Sequence, residues 1–171
     1  MKNRIALIGY RGTGKTTIGN SLIKRLGEYT FLDLDDYIVK KEKKSIPEIF
    51  NDFGEEKFRE FENQYLKELS KNKNIVLSTG GGVVIREENR DILKKKYVNI
   101  LLSCSPNVIL KRIAGDKNRP ALTSKSEYEE ILFNLEKRDI WYKEVSNLMI
   151  QTDKYKVEEC IEIILKFLNR V

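Results

Sequence analysis

The sequence predicts an α/β fold in which a parallel sheet lies between helices on both of its faces. Short apolar segments with strand character alternate with longer segments of helical periodicity along the chain. A glycine-rich loop joins the first such strand directly to a helix, an order that is typical of this class. Because the chain has 171 residues and neither an internal repeat nor a linker, we expect a single domain over residues 1–171.

Five segments are predicted to be strands because they are short, largely apolar and bounded by polar or turn-forming residues. They are Arg4–Ile8, Thr30–Asp33, Ile75–Ser78, Val98–Leu102 and Leu148–Ile150. Helical patterns lie between them, so consecutive strands are expected to run parallel.

The helices are predicted from apolar stripes and from the residues that start or stop them. The first carries an apolar stripe from Ile18 to Leu26 and ends at Gly27. A capping box with proline in the first turn starts another, at Ser45-Ile-Pro-Glu48. Ser126-Glu-Tyr-Glu129 opens a further helix, which ends near Val145. The remaining helices are one from about Glu55 to Ser70, one that starts at Ser105-Pro106, and one with apolar positions from Val157 to Leu168.

The composition argues against several classes of protein. Charged residues make up 34% of the chain, and no apolar run approaches the ~20 residues of a membrane span. The first residues do not form a signal peptide, and Cys104 and Cys160 are expected to be free thiols, so we expect a cytoplasmic protein. The absence of histidine argues against a zinc site.

A formal net charge of +6 fits either nucleic acid or a small anion as the ligand. Lysines cluster near the ends of predicted helices, where cations are favourable and exposed. No basic stretch is interleaved with aromatic residues that would stack on bases. We therefore expect small anionic ligands, no nucleic-acid or membrane partner, and a monomer.

Residues 9–16 carry the strongest functional signal. They read G-Y-R-G-T-G-K-T and fit G-x-x-x-x-G-K-[ST], the phosphate-binding loop. Lys15 can reach the β- and γ-phosphates of a nucleotide, and the Thr16 hydroxyl can bind Mg²⁺. A chance glycine-rich turn is the alternative, but strand, loop and helix occur in the order that a nucleotide site requires. The candidate nucleotide contacts in the loop are Gly12, Thr13, Gly14, Lys15, Thr16 and Thr17.

Two carboxylates lie at the end of the second strand. Because side chains alternate along a strand, Asp33 and Asp35 should share one face while Leu34 points away. Open α/β sheets bind ligands at the carboxyl ends of their strands. One carboxylate there can hold Mg²⁺ through water, and the other can accept hydrogen bonds from substrate hydroxyls. The alternative is that Asp35 or Asp36 only caps the following helix.

Three consecutive glycines, Gly80, Gly81 and Gly82, follow the third strand. Consecutive glycines cost backbone entropy, so they usually meet a geometric need. Here they can bring several backbone N–H donors very close to a ligand. A flexible turn is the alternative, but the position at the carboxyl end of a strand favours a binding site.

Four arginines are candidate anion ligands, since arginine binds carboxylate in a bidentate fork and neutralises phosphate. Any single one of them could instead form a surface ion pair of little energetic value. Arg59 lies in the long helix and Arg112 at the end of a helix, whereas Arg119 lies in the polar segment 115–125 and Arg138 in the next helix. Segment 115–125 has no periodicity, and Arg119 favours interpreting it as a lid rather than an ordinary surface loop.

Together these residues resemble the shikimate kinase family of small P-loop kinases, over nearly the whole chain. The resemblance is carried by an ordered set of motifs: Gly9–Gly19, Phe31–Asp35, Ser45–Phe50, Phe58–Glu62, Ser78–Gly82, Arg119–Leu122 and Glu136–Tyr142. It implies a P-loop kinase fold, a three-layer α/β/α sandwich with five parallel strands in the order 2-3-1-4-5. It also implies a helical substrate-binding region over residues 34–62 and a lid over residues 113–125.

The resemblance further implies a reaction. The family transfers the γ-phosphate of ATP, with Mg²⁺, to the 3-hydroxyl of shikimate, a step toward chorismate and the aromatic amino acids. In this sequence Lys15, Asp35 and Arg119 match its catalytic residues, with Arg119 as the lid arginine and Asp35 as the proposed base. The other matches are Thr16 and Asp33 for the metal, Arg112 for the adenine, and Asp35, Arg59, Arg138 and Gly80–Gly82 for shikimate.

Two features are less defined by the resemblance. Phe50 and Phe58 could pack on the substrate ring or belong to the core. Residues 151–155, expected near the adenine, carry no sharp signature. The alternatives for the whole chain are a gluconate kinase-like or other small-molecule P-loop kinase, or a module that binds a nucleotide without turnover. The two arginines and two aspartates favour a hydroxylated, carboxylate-bearing acceptor over a nucleotide acceptor, and a module that only binds a nucleotide would leave Asp35, Arg59 and Arg138 unexplained.

Overall fold

The structure, a computed structural model, describes residues 3–114 and 126–170. At its centre is a five-stranded sheet, parallel throughout, with the strand order β2-β3-β1-β4-β5 that was predicted. The strands are β1 (Arg4–Ile8), β2 (Thr30–Asp33), β3 (Ile75–Ser78), β4 (Val98–Ser103) and β5 (Leu148–Gln151). The helices are α1 (Lys15–Leu26), α2 (Leu34–Glu42), α3 (Ile46–Leu69), α4 (Glu87–Lys96), α5 (Pro106–Ile113), α6 (Glu127–Val145) and α7 (Val157–Leu168).

Helices cover both faces of the sheet, as the side chains of the central strand β1 demonstrate. Ala6 and Ile8 belong to a buried cluster with residues of α2, α3, α4 and α6. Ile5 and Leu7, the alternate residues of β1, belong to a second buried cluster with residues of α1 and α7. The strand is therefore apolar on both faces, as a central parallel strand must be. The predicted three-layer arrangement is confirmed.

The predicted elements agree closely with the observed ones. All five strands are present, and β4 and β5 each extend one residue further than predicted, to Ser103 and Gln151. Helix α4 is not predicted by the sequence, because only Asn89 and Leu93 in it are buried and its apolar stripe is correspondingly narrow. Both cysteines are free thiols. None of the helices in the described part of the chain combines the length and apolarity needed to cross a membrane.

The predicted helix caps are present in the structure. Ser45 and Ser126 each accept a hydrogen bond from the backbone N–H three residues on, and the carboxylates of Glu48 and Glu129 accept from the backbone N–H of those serines. Gly27 follows α1 with a φ of 69°. Because the caps fix where α3 and α6 begin, they also fix the register of the side chains that these helices bring to the site.

A kink at Gly54 divides α3 into two halves. The Gly54 backbone has φ 79° and ψ 172°, a region that residues with a Cβ rarely enter. The first half carries Phe50 and the second carries Phe58 and Arg59, and all three side chains line one small pocket. The long helix predicted from about Glu55 therefore begins at the kink, and the kink lets both halves of α3 face the same pocket.

We expect Gly54→Ala to lower the free energy of unfolding by about 1–3 kcal/mol, the cost of holding a Cβ-bearing residue in this backbone region. An added Cβ would meet no neighbouring heavy atom within 4 Å, so the loss would come from backbone strain alone. Urea unfolding followed by circular dichroism measures it. Phe53→Ala, at the preceding and half-exposed position, is the control and should change stability by less than about 0.5 kcal/mol. Equal stabilities for Gly54→Ala and the wild type would contradict the strain.

Candidate active site

A cleft of about 530 Å³ lies at the carboxyl ends of β1, β2 and β3. It is lined by the loop after β1, the residues at the start of α2 and the glycines after β3, and also by Arg112 of α5 and by residues after β5. These are the positions at which an open parallel sheet binds its ligands. The lining residues with predicted roles are Gly12, Gly14, Lys15, Thr16, Thr17, Asp33, Asp35, Gly80, Gly81 and Arg112.

The loop after β1 has the geometry of an anion-binding loop. Gly14, with φ 90°, lies directly before the first turn of α1, so the backbone N–H groups of that turn face the cleft. The Lys15 ammonium folds back over the loop and donates to the carbonyl oxygens of Gly9 (3.0 Å) and Tyr10 (2.8 Å). Cation and helix terminus therefore present positive charge to the same space, which suits a polyphosphate.

Thr13 differs from its neighbours in this loop. Its side chain is 1% exposed and does not line the cleft. Instead, the Thr13 hydroxyl donates to the carbonyl oxygen of Tyr10, 2.8 Å away. The side chain thus braces the loop from within, and any contact of Thr13 with a phosphate would come from its backbone N–H.

Asp33 and Asp35 both line the cleft, but not for the predicted reason. Asp35 lies in the first turn of α2 rather than on the strand, so strand alternation does not orient it. Asp33 is the N-cap of α2: its Oδ1 accepts from the backbone N–H groups of Asp35 (3.0 Å) and Asp36 (3.4 Å). The alternative that Asp35 or Asp36 caps the helix is therefore wrong. Because α2 begins immediately after β2, its first turn still delivers Asp35 to the edge of the sheet.

A second, smaller pocket of about 50 Å³ adjoins the cleft, and Arg11 and Gly81 line both. It combines apolar walls with two buried arginines, so it suits a small ring that carries an anionic group. Phe50 and Phe58 pack together in its wall with ring centroids 5.0 Å apart. Its other lining residues are Tyr10, Ile46, Arg59, Gly82, Glu130, Asn134 and Arg138.

Arg59 is held in this pocket by two carboxylates of its own helix. Its guanidinium lies 2.5 Å from Glu62 and 2.8 Å from Glu55, and Glu62 is fully buried. Burial disfavours the charge of Arg59, but Glu62 and Glu55 more than offset this and raise its pKa. The ion pair between Arg59 and Glu62 is therefore buried and not at the surface. It fixes the direction in which the Arg59 guanidinium points.

At two of the three consecutive glycines, a neighbouring side chain lies too close to the backbone to leave room for a Cβ. A Cβ on Gly82 would lie 2.1 Å from a terminal nitrogen of Arg59, and a Cβ on Gly80 would lie 2.7 Å from Asp35 Oδ1. A Cβ on Gly81 would meet nothing closer than 3.5 Å. The glycines after β3 thus let the backbone pack directly against two of the predicted substrate residues, and a flexible turn does not account for them.

Arg138 extends from α6 to the same glycine segment. One terminal nitrogen donates to the carbonyl oxygen of Gly81 (3.1 Å), and the other donates to Asn134 Oδ1 (2.6 Å). The residue is only 8% exposed. Arg59 and Arg138 therefore meet the Gly81–Gly82 backbone from two different helices, and the two guanidinium groups line one pocket.

Arg112 marks the opposite end of the cleft. It lies in the last turn of α5 and donates to the carbonyl oxygen of Gly12 (3.1 Å) and to the Thr152 hydroxyl (3.3 Å). Thr152 and Tyr155, from the segment that carried no sharp signature, line this end together with Val157. Guanidinium, aromatic and aliphatic surfaces are suited to a flat nucleobase.

Several residues at the site are not predicted by the sequence. Arg11 lies between the two pockets, with its guanidinium 3.7 Å from the buried carboxylate of Glu130. Glu130 belongs to a polar stripe on α6 that is buried along its whole length. Its members, spaced four residues apart, are Glu130, Asn134, Arg138 and Tyr142. The spacing is visible in the sequence, but the burial of these polar side chains is not.

Most of the predicted lid lies outside the residues that the structure describes. Of residues 113–125, only 113 and 114 are described, and Arg119 lies outside the described residues. Its predicted role at the phosphates stays a prediction.

The fold and the site together define a P-loop kinase of a small anionic acceptor: a phosphate loop and an adjoining pocket with two buried arginines lie at one edge of a parallel sheet. The shikimate kinase family model matches residues 11–169. The chain belongs to the shikimate kinase family.

Individual relatives agree with this assignment. A shikimate kinase of Enterococcus faecalis is 45% identical over 96% of this chain and 98% of its own length. The structure of a shikimate kinase from Acinetobacter baumannii in complex with shikimate superposes with a TM-score of 0.92, at 36% identity, over 98% of this chain and 93% of that one. A gluconokinase from Sinorhizobium meliloti has a TM-score of 0.58 over 99% of this chain and 93% of its own, but at 14% identity this similarity concerns the fold alone.

Proposed function

We propose that the chain phosphorylates shikimate, transferring the γ-phosphate of ATP to the 3-hydroxyl and so serving the synthesis of chorismate and aromatic amino acids. The observation that carries the proposal is the junction of two pockets. The cleft with the phosphate loop and the pocket with Arg59 and Arg138 share Arg11 and Gly81 in their walls. A phosphate donor in one and a carboxylate-bearing acceptor in the other would therefore meet at this shared wall.

On the donor side, ATP would lie along the cleft with its phosphates over residues 12–17 and its base near Arg112. Lys15 would turn from the loop carbonyls toward the β- and γ-phosphates, since its ammonium already lies at the cleft. Phosphoryl transfer needs positioning and charge neutralisation more than covalent chemistry, and Lys15 supplies the charge. Arg119 is proposed to add a second cation there.

The residues present fit Mg²⁺ bound with the nucleotide. Within residues 3–114 and 126–170, no three carboxylate or thiol side chains gather into a metal cage. Mg²⁺ in kinases is commonly held by one or two protein groups, with phosphates and waters as its other ligands. Thr16 and Asp33 line the cleft and would hold it in that way, with Asp33 acting through water. The bound metal would neutralise charge on the phosphates.

On the acceptor side, Arg59 and Arg138 would bind the carboxylate of shikimate, and the backbone of Gly80–Gly82 would add contacts. Phe50 and Phe58 give the pocket an apolar wall for the ring. Asp35 would bind the hydroxyls and accept the proton of the attacking one, since it lines the cleft beside Gly80. The acceptor hydroxyl would then face the γ-phosphate.

A cytoplasmic monomer is part of the proposal. Both cysteines are free thiols, which suits a reducing compartment. The described residues of one chain line both pockets, which fits a monomer.

The proposal is tested by following ADP release with ATP and Mg²⁺ in the presence of shikimate, gluconate or a nucleoside monophosphate. We expect turnover with shikimate alone. ADP release that needs gluconate or a nucleotide would assign a different acceptor. ATP binding without turnover of any acceptor would favour a module that only binds a nucleotide.

The carboxylate role predicts a specific effect for Arg138→Ala. Because a charged hydrogen bond in the ground state is lost, KM for shikimate should rise about 10- to 100-fold with a smaller change in kcat. Steady-state kinetics measures both. Lys137→Ala removes the neighbouring exposed cation and should leave KM within about twofold, as expected of a surface substitution. A change confined to KM for ATP would show that Arg138 does not serve the acceptor.

A further inference from the structure

The separation and direction of Arg59 and Arg138 depend on the two-residue backbone segment Gly81–Gly82. Arg138 donates to the Gly81 carbonyl at 3.1 Å, and Arg59 packs so closely on Gly82 that no Cβ would fit between them. A carboxylate held by both guanidinium groups would need that spacing to within about 0.5 Å. Whatever holds this segment in place therefore helps to set the acceptor site.

Tyr142 holds the segment from the protein interior. Its hydroxyl donates to the Gly81 carbonyl at 2.5 Å, so this oxygen accepts from both Tyr142 and Arg138. Tyr142 is 3% exposed and lies one helical turn after Arg138 on α6. Burial raises the pKa of Tyr142, so its hydroxyl keeps the proton that it donates.

Asn134 holds the other side of the Arg138 guanidinium. Its Oδ1 accepts from Arg138 at 2.6 Å, while its Nδ2 donates to the backbone carbonyl of Glu130 at 2.9 Å. The second bond fixes which end of the amide faces the arginine. A guanidinium has five N–H donors. Asn134 and Gly81 each take one of those of Arg138, so both terminal nitrogens are held in place where Arg138 lines the pocket.

We propose that Tyr142 and Asn134 are positioning residues of the acceptor site, which fix the Gly81 carbonyl and the Arg138 guanidinium in the geometry that binds the substrate carboxylate. The inference rests on the proposed function, because it assigns the carboxylate of shikimate to Arg138. Tyr142 lines neither pocket, whereas Asn134 lines the acceptor pocket, and by this account both act through Arg138. Asn134 accepts directly from the guanidinium, and Tyr142 shares the Gly81 carbonyl with it and also interacts with the Arg138 side chain itself.

The test compares Tyr142→Phe and Asn134→Leu with the wild type by calorimetric titration with shikimate and by steady-state kinetics. Each variant should raise Kd and KM for shikimate about fivefold or more, while kcat and the Kd for ATP change less than about twofold, as for a weakened ground-state contact. In the Arg138→Ala background, Tyr142→Phe should change Kd for shikimate by less than about twofold, because the two residues act on one interaction.

Tyr65→Phe is the matched control. Tyr65 is also buried and its hydroxyl also donates a hydrogen bond, to Glu42, but it lines neither pocket. Loss of the Tyr65 hydroxyl should lower the free energy of unfolding without changing Kd for shikimate. Unchanged Kd values for shikimate in both Tyr142→Phe and Asn134→Leu would overturn the inference and leave the proposed function intact. A wild-type protein that neither binds nor phosphorylates shikimate would overturn both.

Discussion

Lys15→Ala should lower kcat by about 10²-fold or more, the scale on which a preorganised electrostatic contact to a transition state acts. Lys15 and Arg11 are both cations of the phosphate loop that line the cleft, and Lys15 is the one that lies at the start of α1. Charge on the transferring phosphoryl group has to be neutralised as the bond to ADP breaks. Steady-state ADP release at saturating ATP and shikimate measures the effect.

Lys15 also shapes the loop, so its two roles have to be separated. The ammonium donates to the carbonyl oxygens of Gly9 and Tyr10, and its removal leaves both without that donor. Kd for ATP, measured by titration, reports on the loop, whereas kcat reports on the charge. Lys24→Ala removes an exposed lysine from the last turn of the same helix and should change neither. A Lys15→Ala variant within about threefold of the wild-type kcat would refute the catalytic role.

The fold could be predicted largely because its signals are local. Apolar runs followed by helix-starting residues such as Ser45 and Ser126 define where strands end and helices begin. Those signals were sufficient for all five strands. They did not reveal α4, in which a narrow apolar stripe is outweighed by exposed charge.

The start of α2 shows where local signals fail. The predicted strand ends correctly at Asp33, but no glycine or proline separates β2 from α2, so strand alternation was extended beyond that end to Asp35. In the structure, Asp33 ends the strand and caps the helix in one step. The prediction that Asp33 and Asp35 lie at the same edge of the sheet is confirmed, although a helical turn and not strand alternation brings them there.

The polar stripe on α6 was missed for a different physical reason. Polar residues at helical spacing normally mark the solvent-facing side of a helix. Here Glu130 and Asn134 face the acceptor pocket, while Phe133 and Ile140 on the same helix are exposed. Only the packing of α6 against the glycine segment reveals this inversion, and a single sequence does not contain that information.

Asp35→Asn should reduce kcat by about 10²- to 10⁴-fold, the usual contribution of a positioned general base. The change keeps the size of the side chain and its place in the first turn of α2, but it removes the group that would accept the proton of the attacking hydroxyl. KM for shikimate should rise less than kcat falls, because an amide can still hydrogen-bond the substrate hydroxyls. Pre-steady-state and steady-state ADP release together measure the chemical step.

Asp36→Asn is the matched control for Asp35→Asn. Asp36 is the next residue on the same helical turn, and it too donates its backbone N–H to Asp33, but its side chain is exposed and does not line the cleft. If proximity to the nucleotide or a general effect of negative charge were responsible, both substitutions would slow turnover alike. If Asp35 accepts the proton, only Asp35→Asn lowers kcat by that amount. Equal activities of the two variants would show that Asp35 takes no part in the chemistry and is only a binding residue.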